Sequence, residues 1–178
     1  LLGYGDYTEY CTKLSQLEAQ HTHFVRWGAL DDDHPGVSIG CDNFQGGYDI
    51  TRHLLGLGRR RFAFIGGADI RAPEFFARYN GHQKALKLAN VEQKAVQQDA
   101  ISTEDSGYEA TLTLLKNHPH IDAIVCASDL IAIGVIRALR ANNIAIPEQI
   151  AVVGFDNVPV ASFANPALTT VKQDTILA

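Results

Sequence analysis

Several residue types and motifs that mark special classes of protein are scarce or missing here. The 178 residues contain no methionine, one tryptophan and three cysteines. Cys11, Cys41 and Cys126 are widely spaced, with no CxxC pair and no Cys/His spacing typical of zinc. Reduced thiols in a cytoplasmic protein are therefore expected rather than a disulfide framework. Because the chain opens at Leu1 and lacks methionine, we expect it to be a piece of a longer protein.

Long apolar runs and an excess of positive charge are also missing. No apolar stretch approaches the length of a membrane span, so no membrane partner is expected. The formal net charge is -5, which argues against a nucleic-acid-binding surface as the dominant feature. Hydrophobic residues make up 46% of the chain and charged residues 20%, a composition typical of a globular protein with a core.

The motifs of common enzymes and cofactor sites are incomplete or absent. The segment 56–58 (Gly-Leu-Gly) lacks the third glycine of a dinucleotide fingerprint and precedes a strand. There is no G-x-S-x-G motif and no P-loop. The histidine pairs at 21–23 and 118–120 lack partners at metal-ligand spacing, and Asp31–Asp33 lacks the rest of an EF-hand pattern. We therefore expect no catalytic residue, no metal and no cofactor.

Short apolar runs alternate with helical segments along the chain. The clearest run is 150–156 (Ile-Ala-Val-Val-Gly-Phe-Asp), bounded by Pro147 and Pro159 and typical of a buried parallel strand. The alternation predicts an α/β fold with doubly wound parallel sheets. Helices are predicted at 8–20, 44–57, 73–89, about 105–116 and 130–141, and strands at 23–27, 37–41, 62–65, 95–96, 121–126 and 150–155.

The carboxyl end of the 150–156 run delivers Asp156. In open α/β sheets, ligands bind in the crevice beyond the carboxyl ends of the strands. A carboxylate at that place can accept two hydrogen bonds from a vicinal diol, as a sugar offers. The alternative is a cap for the following turn, Asn157–Pro159. The residues alone leave both roles open.

Six segments match motifs that occur together, and in this order, in one family of proteins. The matching segments are Leu57–Gly67 (LGRRRFAFIGG), Arg78–Leu86 (RYNGHQKAL), Ser106–Ala110 (SGYEA), Ser128–Gly134 (SDLIAIG), Ile146–Asp156 (IPEQIAVVGFD) and Pro166–Asp174 (PALTTVKQD). Together they cover nearly the whole chain. The sequence therefore resembles the lac repressor/galactose repressor (LacI/GalR) family of bacterial transcription regulators.

The resemblance implies an effector-binding core of two lobes, similar to periplasmic sugar-binding proteins. Residues 1–43 are expected to form part of an N-terminal lobe, and residues 44–171 a complete C-terminal lobe. Residues 172–178 are expected to cross back towards the first lobe. Asp42-Asn43 and Thr170–Asp174 are two expected crossings between the lobes. The family's helix-turn-helix is expected to be absent from this chain.

The resemblance also implies two ligand contacts. The family's effector-contacting arginine falls on Arg78, and the aspartate that commonly contacts effector falls on Asp156. A guanidinium presents a planar fork of donors that suits hydroxyls or a carboxylate. We expect Arg78→Ala and Asp156→Ala each to abolish ligand-induced stabilisation and to leave the protein folded.

Ser128-Asp129 is expected where a strand turns into the next helix. Family members often carry asparagine in place of Ser128, and a serine reaches less far, so its contact with a ligand stays open. For Asp129, near a helix N-terminus, we favour a structural cap over a direct ligand contact.

An aromatic face for the ligand has three candidate residues in this chain. Several family members place a stacking aromatic where this chain has Ser102. Trp27, Phe75 and Phe155 are the candidates to replace it, although aromatic residues more often belong to the core.

The resemblance implies a ligand-sensing domain of a bacterial regulator, presumed to be a repressor and not an enzyme. A small sugar or related metabolite would bind between the lobes and set the operator DNA affinity of the full-length homodimer. The helix 130–141 and the segment 158–163 are candidate dimer faces. Two alternatives remain: a periplasmic sugar-binding protein of a transporter, and a Rossmann-like enzyme.

Overall fold

The computed structural model describes residues 7–28, 35–91 and 96–174. A short 3₁₀ helix, Pro159–Phe163, lies between the last two strands. The helices and strands are α1 (Tyr7–Ala19), β1 (Val25–Trp27), β2 (Val37–Ile39), α2 (Asn43–Gly56), β3 (Phe62–Ile65), α3 (Pro73–Leu88), β4 (Val96–Gln98), α4 (Glu104–Asn117), β5 (Ala123–Cys126), α5 (Asp129–Ala141), β6 (Ala151–Asp156) and β7 (Thr169–Lys172).

The described strands form two parallel sheets. One contains β1 and β2, and the other has five strands in the order β4-β3-β5-β6-β7. Every residue of β3 and β5 is buried, which requires helices on both faces of the larger sheet. The predicted fold class, α/β with parallel sheets, is confirmed.

The strand order of the larger sheet reverses its direction at β3. The chain moves from β3 outward to β4 and then returns past β3 to β5. Because parallel crossovers are right-handed, α3 and α4 lie on opposite faces of the sheet. The carboxyl ends of β3 and β5 therefore flank a topological switch point, the place where open α/β sheets bind ligands.

Most predicted elements are observed with boundaries displaced by one or two residues. The buried strand at 150–155 begins one residue later and includes Asp156 as its last residue. Residues 170–174 were expected only as a crossing between the lobes, but residues 169–172 form β7 and pair with β6 at the sheet edge. An edge strand has only one neighbour, and no residue of β7 is fully buried, so its apolar signal is weak.

Some predicted features fall on residues that are not described. These are residues 1–6 of the expected N-terminal lobe, the segment Asp31–Asp33, the first residue of the strand predicted at 95–96, and residues 175–178 of the expected crossing. The proposed lobe boundaries remain predictions.

Helices α2 and α3 approach each other through two glycines. A Cβ atom on Gly47 would collide with the backbone carbonyl of Arg78, and one on Gly81 would collide with the carbonyl of Phe44. Any larger residue would push the helices apart. Gly81 is the glycine of the RYNGHQKAL motif. The close packing of α2 against α3 explains why a glycine occupies this position.

Helices α4 and α5 also approach each other through two glycines. A Cβ atom on Gly107 would collide with the carbonyl of Ile131, and one on Gly134 with the carbonyl of Glu104. These are the glycines of the SGYEA and SDLIAIG motifs. Both motifs therefore encode the close crossing of a helix pair beside the sheet.

None of the helices within the described ranges is both long and apolar enough to cross a membrane.

Gly134→Ala is expected to destabilise the protein by about 2 kcal/mol, because overpacking against backbone outweighs the better helix propensity of alanine. Gly56→Ala is the matched control. The Cβ at Gly56 would meet nothing within 4 Å, so this change should stabilise the protein by about 0.5 kcal/mol. Urea denaturation measures both values. If both substitutions changed the stability in the same direction, the proposed collision between α4 and α5 at Gly134 would be contradicted.

Candidate functional site

A cavity of about 320 Å³ lies where strand ends of both sheets converge. Trp27 ends β1, Asp156 ends β6, and Ser102 follows β4. The site is therefore at the carboxyl edge, as expected for an α/β fold. The residues that line the cavity are Trp27, Gly28, Asn43, Glu74, Phe75, Arg78, Ser102, Asp156 and Gln173.

A second hollow, of about 590 Å³, is larger but poorly placed for this role. Its walls come from residues 18–25 and 35–37, at the amino ends of β1 and β2. Neither Arg78 nor Asp156 takes part in it. The smaller cavity is therefore the candidate site.

The side chain of Arg78 is buried and held by three parts of the chain. Its Nε donates to Asn43 Oδ1 at 2.8 Å, and its Nη1 donates to the carbonyl of Ala127 at 2.5 Å. Nη1 also lies 3.3 Å from Asp156 Oδ1. Burial lowers the pKa of Arg78, and the facing Asp156 carboxylate opposes this shift. A guanidinium remains charged under these conditions.

An aromatic ring supports the same guanidinium from one face. Arg78 Cζ lies 3.7 Å from the centroid of the Phe155 ring, which is a cation–π arrangement. Within the described residues, no hydrogen bond uses Nη2 of Arg78. That nitrogen can therefore donate to a molecule in the cavity.

Asp156 occupies an unusual backbone conformation at the end of β6. Its φ angle is +112°, a region that L-residues with side chains rarely adopt. Gln173 Nε2 donates to Oδ1 at 2.5 Å, whereas Oδ2 accepts no hydrogen bond from the described residues. Burial raises the pKa of the Asp156 carboxyl, and Arg78 and Gln173 oppose that rise. The strained backbone places the Asp156 carboxylate at the cavity, where its Oδ2 can accept a hydrogen bond.

Asp129 has a structural role, but it is not the cap of α5. The cap is Ser128, whose Oγ accepts from Ile131 N at 3.4 Å. Asp129 instead accepts from Val158 N at 2.8 Å and from Thr170 Oγ1 at 2.6 Å. Its carboxylate reaches away from its own helix and joins α5 to β7 and to the turn after β6.

The structure separates the six predicted ligand contacts into two groups. Arg78, Asp156, Trp27 and Phe75 line the cavity, and Ser128 and Phe155 do not. The two excluded residues are 1% exposed, because Ser128 caps α5 and Phe155 lies under the Arg78 guanidinium.

Ser102 takes the place at the cavity that the prediction offered to Ser128. The two hydroxyls lie 2.8 Å apart, so Ser128 supports a neighbour that lines the cavity. Position 102, where the resemblance led us to look for a stacking aromatic, presents a hydroxyl in this chain.

Three further polar residues of the cavity were missed from the sequence. Asn43 was interpreted only as part of a helix cap and crossing, and Gln173 only as part of a crossing strand. Glu74 carries no motif signal, but it lies four residues before Arg78 on α3, which places both on one helix face. That spacing was the available clue.

Metal binding has no support in the described part of the chain. No group of three or more His, Cys, Asp or Glu side chains there is placed to hold a metal ion.

Relatives of known sequence share the fold's motifs. The family profile of the periplasmic binding protein-like domain matches residues 51–177. The HTH-type transcriptional regulator RegA of Clostridium saccharobutylicum is 38% identical over 147 residues. That match covers 80% of this chain and 44% of RegA, so the chain spans less than half the length of this curated relative.

Solved structures share the architecture. A complex of the transcriptional regulator CelR with cellobiose has a TM-score of 0.81 and 34% identity, covering 90% of this chain and 50% of that one. A LacI-family regulator from Enterococcus faecium with bound ribose has a TM-score of 0.80 and 25% identity, covering 90% of this chain and 59% of that one.

Parallel sheets with a polar cavity at their carboxyl edge define a ligand-binding α/β domain. The chain belongs to the periplasmic binding protein-like domain family. Its matches are transcriptional regulators, including members of the LacI family. The resemblance to LacI/GalR regulators is thereby confirmed.

Arg78→Ala is expected to destabilise the ligand-free protein by about 3 kcal/mol, because it leaves a half-buried carboxylate without its counter-ion. The sequence analysis expected this variant to stay folded, and the contacts of Arg78 add the expectation that it loses stability. Arg71→Ala is the matched control, since Arg71 pairs with Asp69 at the surface and should lose at most about 1 kcal/mol. Equal losses in urea denaturation would contradict a structural role for Arg78.

Asp156→Gly is expected to be more stable than Asp156→Ala by about 1 kcal/mol or more. Both variants lack the carboxylate, but only glycine adopts a φ of +112° without strain. Urea denaturation of the two proteins measures the difference. Equal stabilities would show that the backbone of Asp156 relaxes when the carboxylate is removed.

Proposed function

We propose that this chain is the ligand-sensing core of a bacterial transcriptional regulator and binds a small sugar or related metabolite in the cavity. The observation that carries the proposal is that two neighbouring polar atoms of the cavity make no hydrogen bond within the described residues. Arg78 Nη2 offers donors, and Asp156 Oδ2 offers an acceptor. Adjacent hydroxyls of a sugar satisfy both at once, because each hydroxyl donates one hydrogen bond and accepts others.

Aromatic residues add an apolar surface next to these polar atoms. Trp27 and Phe75 line the same cavity from different elements, β1 and α3. The ring of a sugar has an apolar face that packs on an aromatic side chain. Cellobiose and ribose, the ligands bound by two structural neighbours, are sugars of this kind.

Because the cavity lies between the two sheets, ligand binding can change how the protein is arranged and so act as a signal. Trp27 and Gly28 adjoin the smaller sheet, whereas Arg78 and Asp156 adjoin the larger one. A ligand that contacts both walls stabilises the arrangement in which they are close. Only such a difference in affinity between two arrangements shifts their equilibrium. In the full-length protein, this shift would change the affinity of a homodimer for operator DNA in the cytoplasm.

The 3₁₀ helix is the stronger of the two proposed dimer faces. Val160 and Phe163 are 43% and 84% exposed there. Helix α5 is largely buried against the rest of the chain, and Arg137 on its exposed side pairs with Asp105 at 2.6 Å. The apolar contact that a dimer needs is therefore better supplied by the 3₁₀ helix.

The two alternative functions have less support. A transporter's sugar-binding protein would have the same fold, but the relatives reported above are transcriptional regulators. The support against an enzyme is that the relatives reported above are transcriptional regulators.

Isothermal titration of the chain with a panel of neutral sugars, including ribose and cellobiose, tests the proposal. Asp156→Asn should weaken binding of the best sugar about 10- to 100-fold, since a hydrogen bond to a charged group contributes about 1.5–3 kcal/mol. The control is Asp69→Asn, which removes an exposed carboxylate outside the cavity. Absence of binding by every sugar, or equal affinity in Asp156→Asn, would contradict the proposal.

A further inference from the structure

We propose that Ser102 is a specificity-determining residue of the cavity, and that its hydroxyl is fixed as a hydrogen-bond donor towards an oxygen of the ligand. Ser128, which lies behind it, fixes this direction and is a positioning residue. The inference rests on the proposed function and deepens it by naming what the ligand must offer at this wall.

The hydroxyls of Ser102 and Ser128 form a pair that reaches from the interior to the cavity. Ser102 is exposed and lines the cavity, whereas Ser128 is 1% exposed and does not line it. The two Oγ atoms lie 2.8 Å apart, so one of the hydroxyls donates to the other. The direction of this bond decides what Ser102 has left for a ligand.

The surroundings of Ser128 determine which hydroxyl donates. Its Oγ already accepts a hydrogen bond from the backbone N–H of Ile131, at 3.4 Å, as the cap of α5. A hydroxyl has one proton, and a buried polar group without a partner is costly. In the part of the chain that the structure describes, Ser102 Oγ is the only acceptor within hydrogen-bonding distance of the Ser128 hydroxyl. Ser128 therefore donates to Ser102.

The proton of Ser102 is consequently left for the cavity. Its oxygen accepts from Ser128, and no hydrogen bond to another described residue uses its proton. A donor series thus runs from the N–H of Ile131 through Ser128 to Ser102. Hydrogen bonds in series polarise and strengthen one another. Ser102 therefore presents a strengthened donor at the cavity wall.

Two walls of the cavity make opposite demands on a ligand. Asp156 Oδ2 is an acceptor, so the ligand group that meets it must donate. Ser102 is a donor, so the ligand group that meets it must offer a lone pair. A hydroxyl oxygen or a ring oxygen of a sugar does so, whereas a C–H group or a protonated amine does not. The cavity therefore discriminates against a sugar that is deoxygenated or bears an ammonium group at the Ser102 wall.

Deoxy and deoxyfluoro sugars test the direction of the Ser102 hydroxyl, because a carbon-bound fluorine has lone pairs but no proton. The probes are ribose, glucose and cellobiose, and then each monodeoxy and monodeoxyfluoro derivative of the tightest binder, in isothermal titration of the chain. At the position that meets Ser102, the fluoro derivative should bind about threefold more tightly than the deoxy derivative. Ser102→Ala should abolish this difference and weaken the parent sugar about fivefold. At the position that meets Asp156, fluorine should be no better than hydrogen, since neither donates.

A double-mutant cycle tests whether Ser128 acts through Ser102. Ser128→Ala should weaken the parent sugar about threefold, although Ser128 does not line the cavity. In the Ser102→Ala background the same change should leave the affinity unaltered, because the donor series is already broken. The Ser102→Ala comparison stands whether or not Ser128→Ala folds, and thermal melting of each variant establishes its folded state.

Thr103→Ala is the matched control. Thr103 follows Ser102 and caps α4 by accepting from Ser106 N at 3.2 Å, but it does not line the cavity. Its removal should lower the melting temperature as the loss of the Ser128 cap does. The affinity for the parent sugar should stay the same, because no cap of α4 belongs to the donor series.

The possible results distinguish this inference from the proposed function. A parent sugar that binds Ser102→Ala as tightly as the unmodified chain, or a fluoro preference that survives in this variant, would overturn the inference and leave a sugar-sensing role intact. Additive losses in the cycle, or equal losses of affinity in Ser128→Ala and Thr103→Ala, would overturn the role of Ser128. Absence of binding by ribose, glucose and cellobiose would overturn the proposed function and the inference together.

Discussion

The buried guanidinium of Arg78 joins parts of the chain that are distant in sequence. It binds Asn43 at the start of α2, Ala127 at the end of β5 and Asp156 at the end of β6, and it covers the ring of Phe155. A guanidinium is suited to this position because its donors are rigidly arranged and its charge is weakly hydrated. The residue that presents a nitrogen to the ligand therefore also holds the strand ends of the site together. Binding and folding share this side chain.

The helix crossings explain how this guanidinium reaches its partners. Gly47 of α2 lies against the backbone of Arg78 itself, and Gly81 of α3 lies against Phe44. The two helices are consequently close enough for Nε of Arg78 to reach Asn43, the first residue of α2. A wider spacing would break the hydrogen bond between Arg78 Nε and Asn43 Oδ1, and the loss of a buried hydrogen bond is unfavourable. The small residues of α2 and α3 and the polar contacts of the site thus depend on each other.

The sequence predicted the parallel α/β fold, and its motifs included two residues that line the cavity, Arg78 and Asp156, because strand–helix alternation and family motifs are local patterns. The sequence was a poorer guide to the direction in which individual side chains point. Phe155 and Ser128 lie within matched motifs, but the pleat of β6 turns Phe155 under the guanidinium, and Ser128 caps α5. Glu74 was overlooked, because its place at the cavity depends on the approach of Gly28 from the other sheet. Such contacts between distant elements have no periodic signal in a single sequence.

The dual role of Arg78 divides the cavity into a part that resists change and a part that tolerates it. Arg78, Asn43 and Asp156 are bound to one another, so altering any of them disturbs the protein as well as the ligand. Trp27 lines the cavity from β1 and takes part in none of these bonds, whereas Phe75 shares α3 with Arg78 and its ring centroid lies 5.5 Å from Arg78 Cζ. Evolution of a new response, or construction of a biosensor on this scaffold, is therefore directed first to Trp27. In the proposed site, the fit to ring shape can be changed there without disturbing the hydrogen bonds of Arg78.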